Sequence, residues 1–163
     1  MGITSMAEVI KKKQENQIIT LKPTSNVETV NISVFENQKN KELINYYRDI
    51  STLPKKISDC TFEKSVVKSK RELETKTKLE KYCTNFEKAL KHGIGLYFYG
   101  KRGTGKTFYS LCIFNELSSK YKVYRTSLME INNKIKCSFQ DKNTTEHGII
   151  NDLLNADLVI LDD

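Results

Sequence analysis

The sequence lacks the cysteine and histidine spacing of a zinc site. It has four cysteines and two histidines, and no two cysteines are separated by only two residues. Structural zinc sites draw their ligands from such closely spaced pairs, so we expect none here. The chain also lacks a run close to the roughly 20 apolar residues that cross a bilayer. Its first residues lack the apolar segment of a signal peptide. These absences predict a cytoplasmic protein with reduced thiols and no membrane partner.

Tryptophan is absent, whereas lysine is abundant and unevenly distributed. The net charge of the 163 residues is +7, and residues 1–92 hold an excess of six, from 18 Lys/Arg and 12 Asp/Glu. A basic region can attract nucleic acid. The interleaved acidic residues are equally typical of a solvated surface. Charge alone therefore leaves a DNA-facing role open.

Residues 100–107 read G-K-R-G-T-G-K-T, which matches the phosphate-binding P-loop pattern. Gly100, Gly103 and Gly105 allow backbone turns that a Cβ forbids, so that N–H groups can surround a phosphate. The preceding segment 94–99 is apolar and aromatic, as a buried parallel strand is. After Gly105, no glycine or proline occurs up to Lys120, which indicates a helix. The pattern predicts a strand, a phosphate-binding loop and a helix, rather than a glycine-rich turn without a ligand.

Each P-loop position has an expected role. Lys106 should place its ammonium on the β- and γ-phosphates of ATP, and the Thr107 hydroxyl should bind Mg²⁺. The positive end of the helix adds to this anion site. The predicted nucleotide-binding residues are consecutive: Gly100, Lys101, Arg102, Gly103, Thr104, Gly105, Lys106, Thr107 and Phe108.

A second motif occupies residues 157–163, D-L-V-I-L-D-D. The four aliphatic residues predict a buried strand that delivers two acids toward the P-loop. We expect Asp162 to hold the Mg²⁺, usually through water, and Asp163 to polarise the water that attacks the γ-phosphate. Asp163 and Lys106 are therefore the predicted catalytic residues. A strand that ends in two acids is common, and its place after a P-loop is what favours this Walker B interpretation.

The residues before the P-loop predict less. Residues 14–35 are weakly patterned, and we expect them to be poorly ordered. Residues 39–50 predict a helix with Leu43, Tyr47 and Ile50 on one face, either for packing or for docking a partner. Residues 55–62 should be extended. Residues 70–91 should form one amphipathic helix, ended by Gly93, with an apolar face of Leu79, Tyr82, Phe86, Ala89 and Leu90.

After the P-loop helix we expect a strand at 122–125, a helix from Leu128 to about Lys136 capped by Ser127, a polar loop at 136–143 and a helix at 145–155. The expected buried positions of the last helix are Ile149, Ile150, Leu153 and Leu154. The chain therefore divides into an N-terminal partner-binding or poorly ordered region (1–52), a linker and amphipathic helix (53–92) and the beginning of an ATPase domain (93–163).

Several of these features together resemble the DnaC-type helicase loaders and the IstB-type transposition ATPases, which form a branch of the AAA+ proteins. The resemblance covers roughly residues 53–163 and rests on Leu53-Pro54, Thr61-Phe62-Glu63, Tyr82 with Asn85-Phe86, residues 95–107 and residues 158–163. It implies an α/β P-loop NTPase with a parallel sheet flanked by helices and a small, mainly helical or partly disordered N-terminal region. Phe108 departs from the histidine that these families often have there, and no helicase-binding domain is recognisable before Leu53.

The resemblance implies an ATPase that loads a replicative DNA helicase onto single-stranded DNA as a homo-oligomer, with a neighbouring subunit's arginine completing each site. The IstB branch would instead serve a transposase. A non-catalytic nucleotide-binding adaptor and a small-substrate P-loop kinase are further alternatives. The AAA+ strand order 5-1-4-3-2 also places a later strand between the P-loop strand and the Walker B strand. We therefore expect an incomplete fragment that binds MgATP weakly at best and hydrolyses it negligibly.

Overall fold

The computed structural model describes residues 28–138 and 145–162, with residues 28–35 described by their backbone alone. The expectations for residues 1–27, for the loop at 139–143 and for Asp163 lie outside these described residues. The elements, in chain order, are α1 (Glu28–Ile50), a 3₁₀ turn (Ile57–Asp59), α2 (Lys70–Thr84), α3 (Phe86–Lys91), α4 (Lys106–Leu117), β1 (Val123–Thr126), α5 (Leu128–Ser138), α6 (Glu146–Asn155) and β2 (Leu158–Leu161).

The two strands form a parallel pair in which Val123 lies opposite Leu158 and Thr126 lies opposite Leu161. The connection between them contains α5 and α6, which pack on each other. A helical crossover between parallel strands is the expected route, because such strands cannot be joined by a tight hairpin. The predicted α/β class, with helices around a parallel sheet, is confirmed at this level.

Helix α4 is the centre of the hydrophobic core. Residues 111–114 on this helix are all buried, and Phe114 has no exposed surface. Helices α2 and α3 supply Leu79, Phe86 and Ala89 to the same cluster. Because α4 begins at the P-loop, this packing fixes the position of the loop relative to the sheet. Leu90, predicted on the same apolar face, is 41% exposed and lies outside the core.

Residues 94–99 do not form the predicted buried strand. Tyr97 and Tyr99 are 88% and 79% exposed, and β1 and β2 form the whole sheet within the described residues. The segment lies across a cavity of about 390 Å³ from β2. A strand needs a neighbour within about 4.8 Å to satisfy its backbone groups. An apolar sequence cannot form a strand without such a neighbour. β2 also has no neighbouring strand on the side of the cavity within the described residues, so it is only half-buried, although it was predicted to be buried.

Three further segments have a different secondary structure from the one predicted. Helix α1 begins at Glu28, so residues 28–35 are helical where poor order was expected. The predicted helix 70–91 is interrupted at Asn85, whose side-chain amide donates to the Lys81 carbonyl at 2.9 Å. A 3₁₀ turn interrupts the segment expected to be extended, because the Asn115 amide donates to the carbonyls of Ile57 and Cys60 at 2.8 and 2.9 Å.

Other local predictions are confirmed. The Glu130 N–H donates to Ser127 Oγ at 3.2 Å, as expected for the cap of α5. Gly93 follows α3 with φ +63°, a conformation that favours glycine. In α6, Ile149 is buried, but Leu154 is 76% exposed and Ile150 is 37% exposed. The apolar face of α6 is therefore narrower than predicted.

The C-terminal half of α1 packs on β1 and is hydrogen-bonded to α6. Tyr47 is buried, and its hydroxyl donates to the Asp152 carbonyl at 3.0 Å. Tyr46 donates to Asp152 Oδ2 at 2.8 Å. Burial first, and then the nearby Asp152 charge, raise the pKa of both phenols above their ordinary value. These contacts favour the packing interpretation for this half of the helix. Among the described helices, none has the length and apolar character that a bilayer crossing requires.

Candidate nucleotide-binding site

The P-loop connects residues 94–99 to α4, and two of its glycines have left-handed backbone conformations. Gly103 has φ +80°, and Gly105, which precedes the first residue of α4, has φ +85°. A side chain at either position would be strained, because L-residues rarely adopt these angles. The predicted need for glycine is therefore confirmed at these positions. Gly100 also has a positive φ, +148°, and an added Cβ there would in addition lie 3.3 Å from Thr104 Oγ1.

Lys106 is the first residue of α4, and its side chain folds back over the loop. Its Nζ donates to the carbonyls of Gly100 and Lys101 at 3.2 and 3.0 Å. The ammonium therefore lies at the concave side of the P-loop, at the N-terminal end of a helix. Both features attract anions. The role of Lys106 on phosphates remains a prediction.

The two sequence motifs meet at Thr107 and Asp162. The Thr107 hydroxyl donates to Asp162 Oδ1 at 3.2 Å, and the Ser110 hydroxyl donates to Oδ2 at 3.2 Å. Ser110 lies one helical turn after Thr107, so both hydroxyls project from the same face of α4. The Asp162 N–H donates to the Thr126 carbonyl at 3.1 Å, which continues the sheet one residue past β2. The sheet therefore fixes the position of the carboxylate.

These oxygen atoms fit a magnesium ion better than a softer metal. Mg²⁺ is held by one or two carboxylates together with substrate phosphates and water. Thr107 and Asp162 supply one hydroxyl and one carboxylate beside the P-loop. Within the described part of the chain, no group of three or more His, Cys, Asp or Glu side chains could hold a metal by itself. A magnesium ion at Thr107 and Asp162 would need further oxygen ligands beyond these two side chains.

Arg125 is a site residue that neither sequence motif predicts. It lies in β1, and its guanidinium contacts Asp162 Oδ2 at 2.7 Å, with side-chain exposures of 12% for Arg125 and 13% for Asp162. Burial alone would raise the pKa of Asp162. The Arg125 hydrogen bond and charge outweigh burial, with help from Ser110 and Thr107, and hold that pKa below its ordinary value. Asp162 is therefore an anion at neutral pH.

A signal for Arg125 was present in the sequence. A charged residue within a short apolar strand requires a partner when the strand is buried. The parallel register places Arg125 opposite Ile160, two residues before Asp162 on the neighbouring strand. Ser110 could have been predicted as a site residue, because a residue three positions after Thr107 lies on the same face of the helix.

The remaining predicted site residues surround this centre. Lys101 and Arg102 are exposed, and the Thr104 hydroxyl donates to the Lys101 carbonyl at 2.8 Å. Phe108 is half-buried against the hydrophobic core, with its ring 5.6 Å from that of Tyr109. The cavity of about 390 Å³ opens beside the site, and Lys106, Ser110 and Asp162 line it together with residues 95–98 and β2.

Comparison with known proteins gives one consistent result. No protein-family model matches the chain. The replicative helicase loader DnaC of Escherichia coli strain K12 is 31% identical over 106 residues, an alignment that covers 64% of this chain and 42% of the relative. DnaC of Shigella flexneri gives the same values. DnaC of Buchnera aphidicola is 30% identical over 107 residues. The chain therefore spans less than half the length of the curated relatives it matches.

Proposed function

Because the chain is a relative of the DnaC-type helicase loaders, we propose that it belongs to an ATPase that loads a replicative helicase onto single-stranded DNA during replication. The proposal places MgATP at the P-loop, residues 100–107. The whole loader would act as a homo-oligomer. Hydrolysis would depend on Asp163 and on residues from a neighbouring subunit.

The observation that carries the nucleotide part of this proposal is the contact between Thr107 and Asp162. These residues are 55 positions apart in the sequence, and each belongs to a motif that predicts one half of a MgATP site. A glycine-rich turn without a ligand has no need of a hydroxyl and a carboxylate held 3.2 Å apart beside it. The contact therefore favours the P-loop interpretation over that of a simple turn.

The residues have distinct roles in the proposed site. Lys106 would exchange its bonds to the loop carbonyls for bonds to phosphate oxygens. Thr107 and Asp162 would hold Mg²⁺, which when bound neutralises phosphate charge. The Asp162 side chain is only 13% exposed, which strengthens its electrostatic interactions because little water screens them. Asp163 follows directly and would orient a water molecule toward the γ-phosphate.

Lys106→Ala tests the site directly. Removal of a charged hydrogen-bond donor costs about 1.5–3 kcal/mol, so the affinity for a fluorescent ATP analogue should fall by about 10- to 100-fold. Lys120→Ala is the matched control. It removes the same charge from an exposed position just beyond the other end of α4 and should leave the affinity unchanged. Equal affinities for Lys106→Ala and the wild-type chain would disprove the site assignment.

The partner is tested by capture. The immobilised chain should retain a purified replicative DNA helicase, and a transposase should pass through. Retention of the transposase alone would favour the IstB-type alternative. Nucleotide binding without capture of either protein would favour the adaptor interpretation, in which the site binds nucleotide without driving a loading reaction.

A further inference from the structure

Arg125 connects the candidate site to the end of α1. Its two terminal nitrogens donate in different directions, one to the Thr52 carbonyl at 2.5 Å and the other to Asp162 Oδ2 at 2.7 Å. The backbone of Arg125 is held at the same place. Its N–H donates to Ser51 Oγ at 2.9 Å, and its carbonyl accepts from the Thr52 N–H at 2.9 Å. Ser51 and Thr52 directly follow α1, so a single residue joins α1 to the predicted metal ligand.

The guanidinium is held mainly by these two terminal contacts. Its Nε is buried and has no hydrogen-bond partner among the described residues. A buried arginine that loses its carboxylate partner is an uncompensated charge, which is strongly unfavourable. The position of the Arg125 side chain therefore depends on whether Asp162 is available to it. The hydrogen bond that the Thr52 carbonyl accepts depends in turn on the position of the Arg125 side chain.

We propose that Arg125 is a positioning residue that links Asp162 to the Ser51–Thr52 junction, so that a cation bound at Asp162 loosens the attachment of α1. Arg125 and a divalent cation would compete for the same carboxylate, and their like charges would repel each other. The metal half of this inference rests on the proposed function. The link between Asp162 and Thr52 is a property of the chain alone and can be tested without nucleotide.

Amide hydrogen exchange at Thr52 tests the link without any ligand. Asp162→Asn and Arg125→Met should each raise exchange at Thr52 by about tenfold, because the first removes the carboxylate charge that holds the guanidinium and the second removes the guanidinium itself. Lys122→Met is the matched control. It breaks the Lys122–Asp157 ion pair, 3.3 Å long, at the opposite end of the same two strands, and exchange at Thr52 should remain as in the wild-type chain.

A conservative variant keeps this test decisive if Arg125→Met does not fold. Arg125→Lys retains the charge, but a single ammonium cannot reproduce the planar, two-directional donation of a guanidinium. We expect intermediate exchange at Thr52 in this variant. Wild-type exchange at Thr52 in Asp162→Asn would overturn the inference, because the carboxylate would then have no influence on the junction.

Magnesium titration in the presence of a fluorescent ADP analogue tests the competition. The Mg²⁺ concentration at half-saturation should be about tenfold lower in Arg125→Met than in the wild-type chain. Mg²⁺ should raise exchange at Thr52 in the wild-type chain and not in the variant. Identical midpoints would overturn the competition. If the wild-type chain does not bind the analogue, the proposed function fails, and the ligand-free exchange measurement still decides the link.

Discussion

Two ion pairs of equal length allow the effect of burial to be measured. Arg125–Asp162 and Lys64–Asp59 both have nitrogen–oxygen distances of 2.7 Å. The side chains of the first pair are 12% and 13% exposed, whereas those of the second are 56% and 60% exposed. We predict that Asp162→Asn destabilises the fold much more than Asp59→Asn does, although both remove the same charge at the same distance.

The magnitudes follow from the two environments. Removal of one partner from a buried pair costs about 3–5 kcal/mol, because the other charge stays buried. Asparagine keeps one acceptor oxygen for Arg125 or Ser110, so we expect about 2–3 kcal/mol for Asp162→Asn. An exposed pair is worth about 0–1 kcal/mol, because water screens it and both side chains lose freedom. Asp59→Asn should therefore change the free energy of unfolding by less than about 1 kcal/mol.

The pH dependence gives an independent check on Asp162. Its folded-state pKa is lowered from 3.8, so its ionised form stabilises the fold above that pH. This stabilisation is lost as the pH falls through the lower, folded-state pKa. The stability difference between the wild-type chain and Asp162→Asn should be constant near neutral pH and should shrink below about pH 4.

Urea denaturation followed by circular dichroism measures both effects. At pH 7, Asp162→Asn should lower the unfolding midpoint by about 1 M or more, and Asp59→Asn should lower it by a small fraction of that. Equal shifts in the two variants would refute the argument from burial. A difference for Asp162→Asn that does not change between pH 7 and pH 3 would refute the role of its ionised carboxylate.

Two further predictions concern the core. Phe86→Ala should cost about 3–5 kcal/mol, because Phe86 is 2% exposed and its ring lies edge-on to a tyrosine ring 4.7 Å away. Leu90→Ala, on the same helix but 41% exposed, should cost less than about 1 kcal/mol. Thermal unfolding measures both variants, and a larger loss of stability in Leu90→Ala than in Phe86→Ala would show that Leu90, not Phe86, is the core residue. A thiol reagent at neutral pH should label the exposed Cys137 rapidly and leave Cys83 and Cys112 unmodified until urea is added, because burial raises the pKa of the two buried thiols to about 12. Rapid labelling of Cys112 in the folded chain would show that α4 is not packed as described.

Local chemistry could be predicted from the sequence where neighbouring residues determine it. The P-loop glycines, the Ser127 cap and Gly93 each act within a few residues along the chain, and the structure has them as expected. The contact between Thr107 and Asp162 was also predictable in outline, because two motifs of complementary chemistry predict a shared site.

Features that depend on distant neighbours could not be predicted in the same way. The apolar character of residues 94–99 predicts a strand, but a strand also needs a neighbouring strand to bond its backbone groups. In the structure a cavity lies between this segment and β2, and the apolar pattern of residues 94–99 does not reveal this. The 3₁₀ turn depends on Asn115, whose side chain bonds carbonyls 55 to 58 residues earlier in the chain. Arg125 acquires its role only when β1 pairs with β2 in one particular register. In each case a tertiary contact overrides or adds to the local preference.

The hydroxyls of Tyr46 and Tyr47 have a consequence for synthesis on the ribosome. Their shared partner, Asp152, follows Tyr46 by 106 residues. At about 5–20 residues per second, translation takes roughly 5–20 s to reach it. During that interval α1 has emerged without the surface that covers its two tyrosines. Among the described elements α1 is therefore made first, and the carboxylate and carbonyl that its two tyrosines contact follow roughly 5–20 s later.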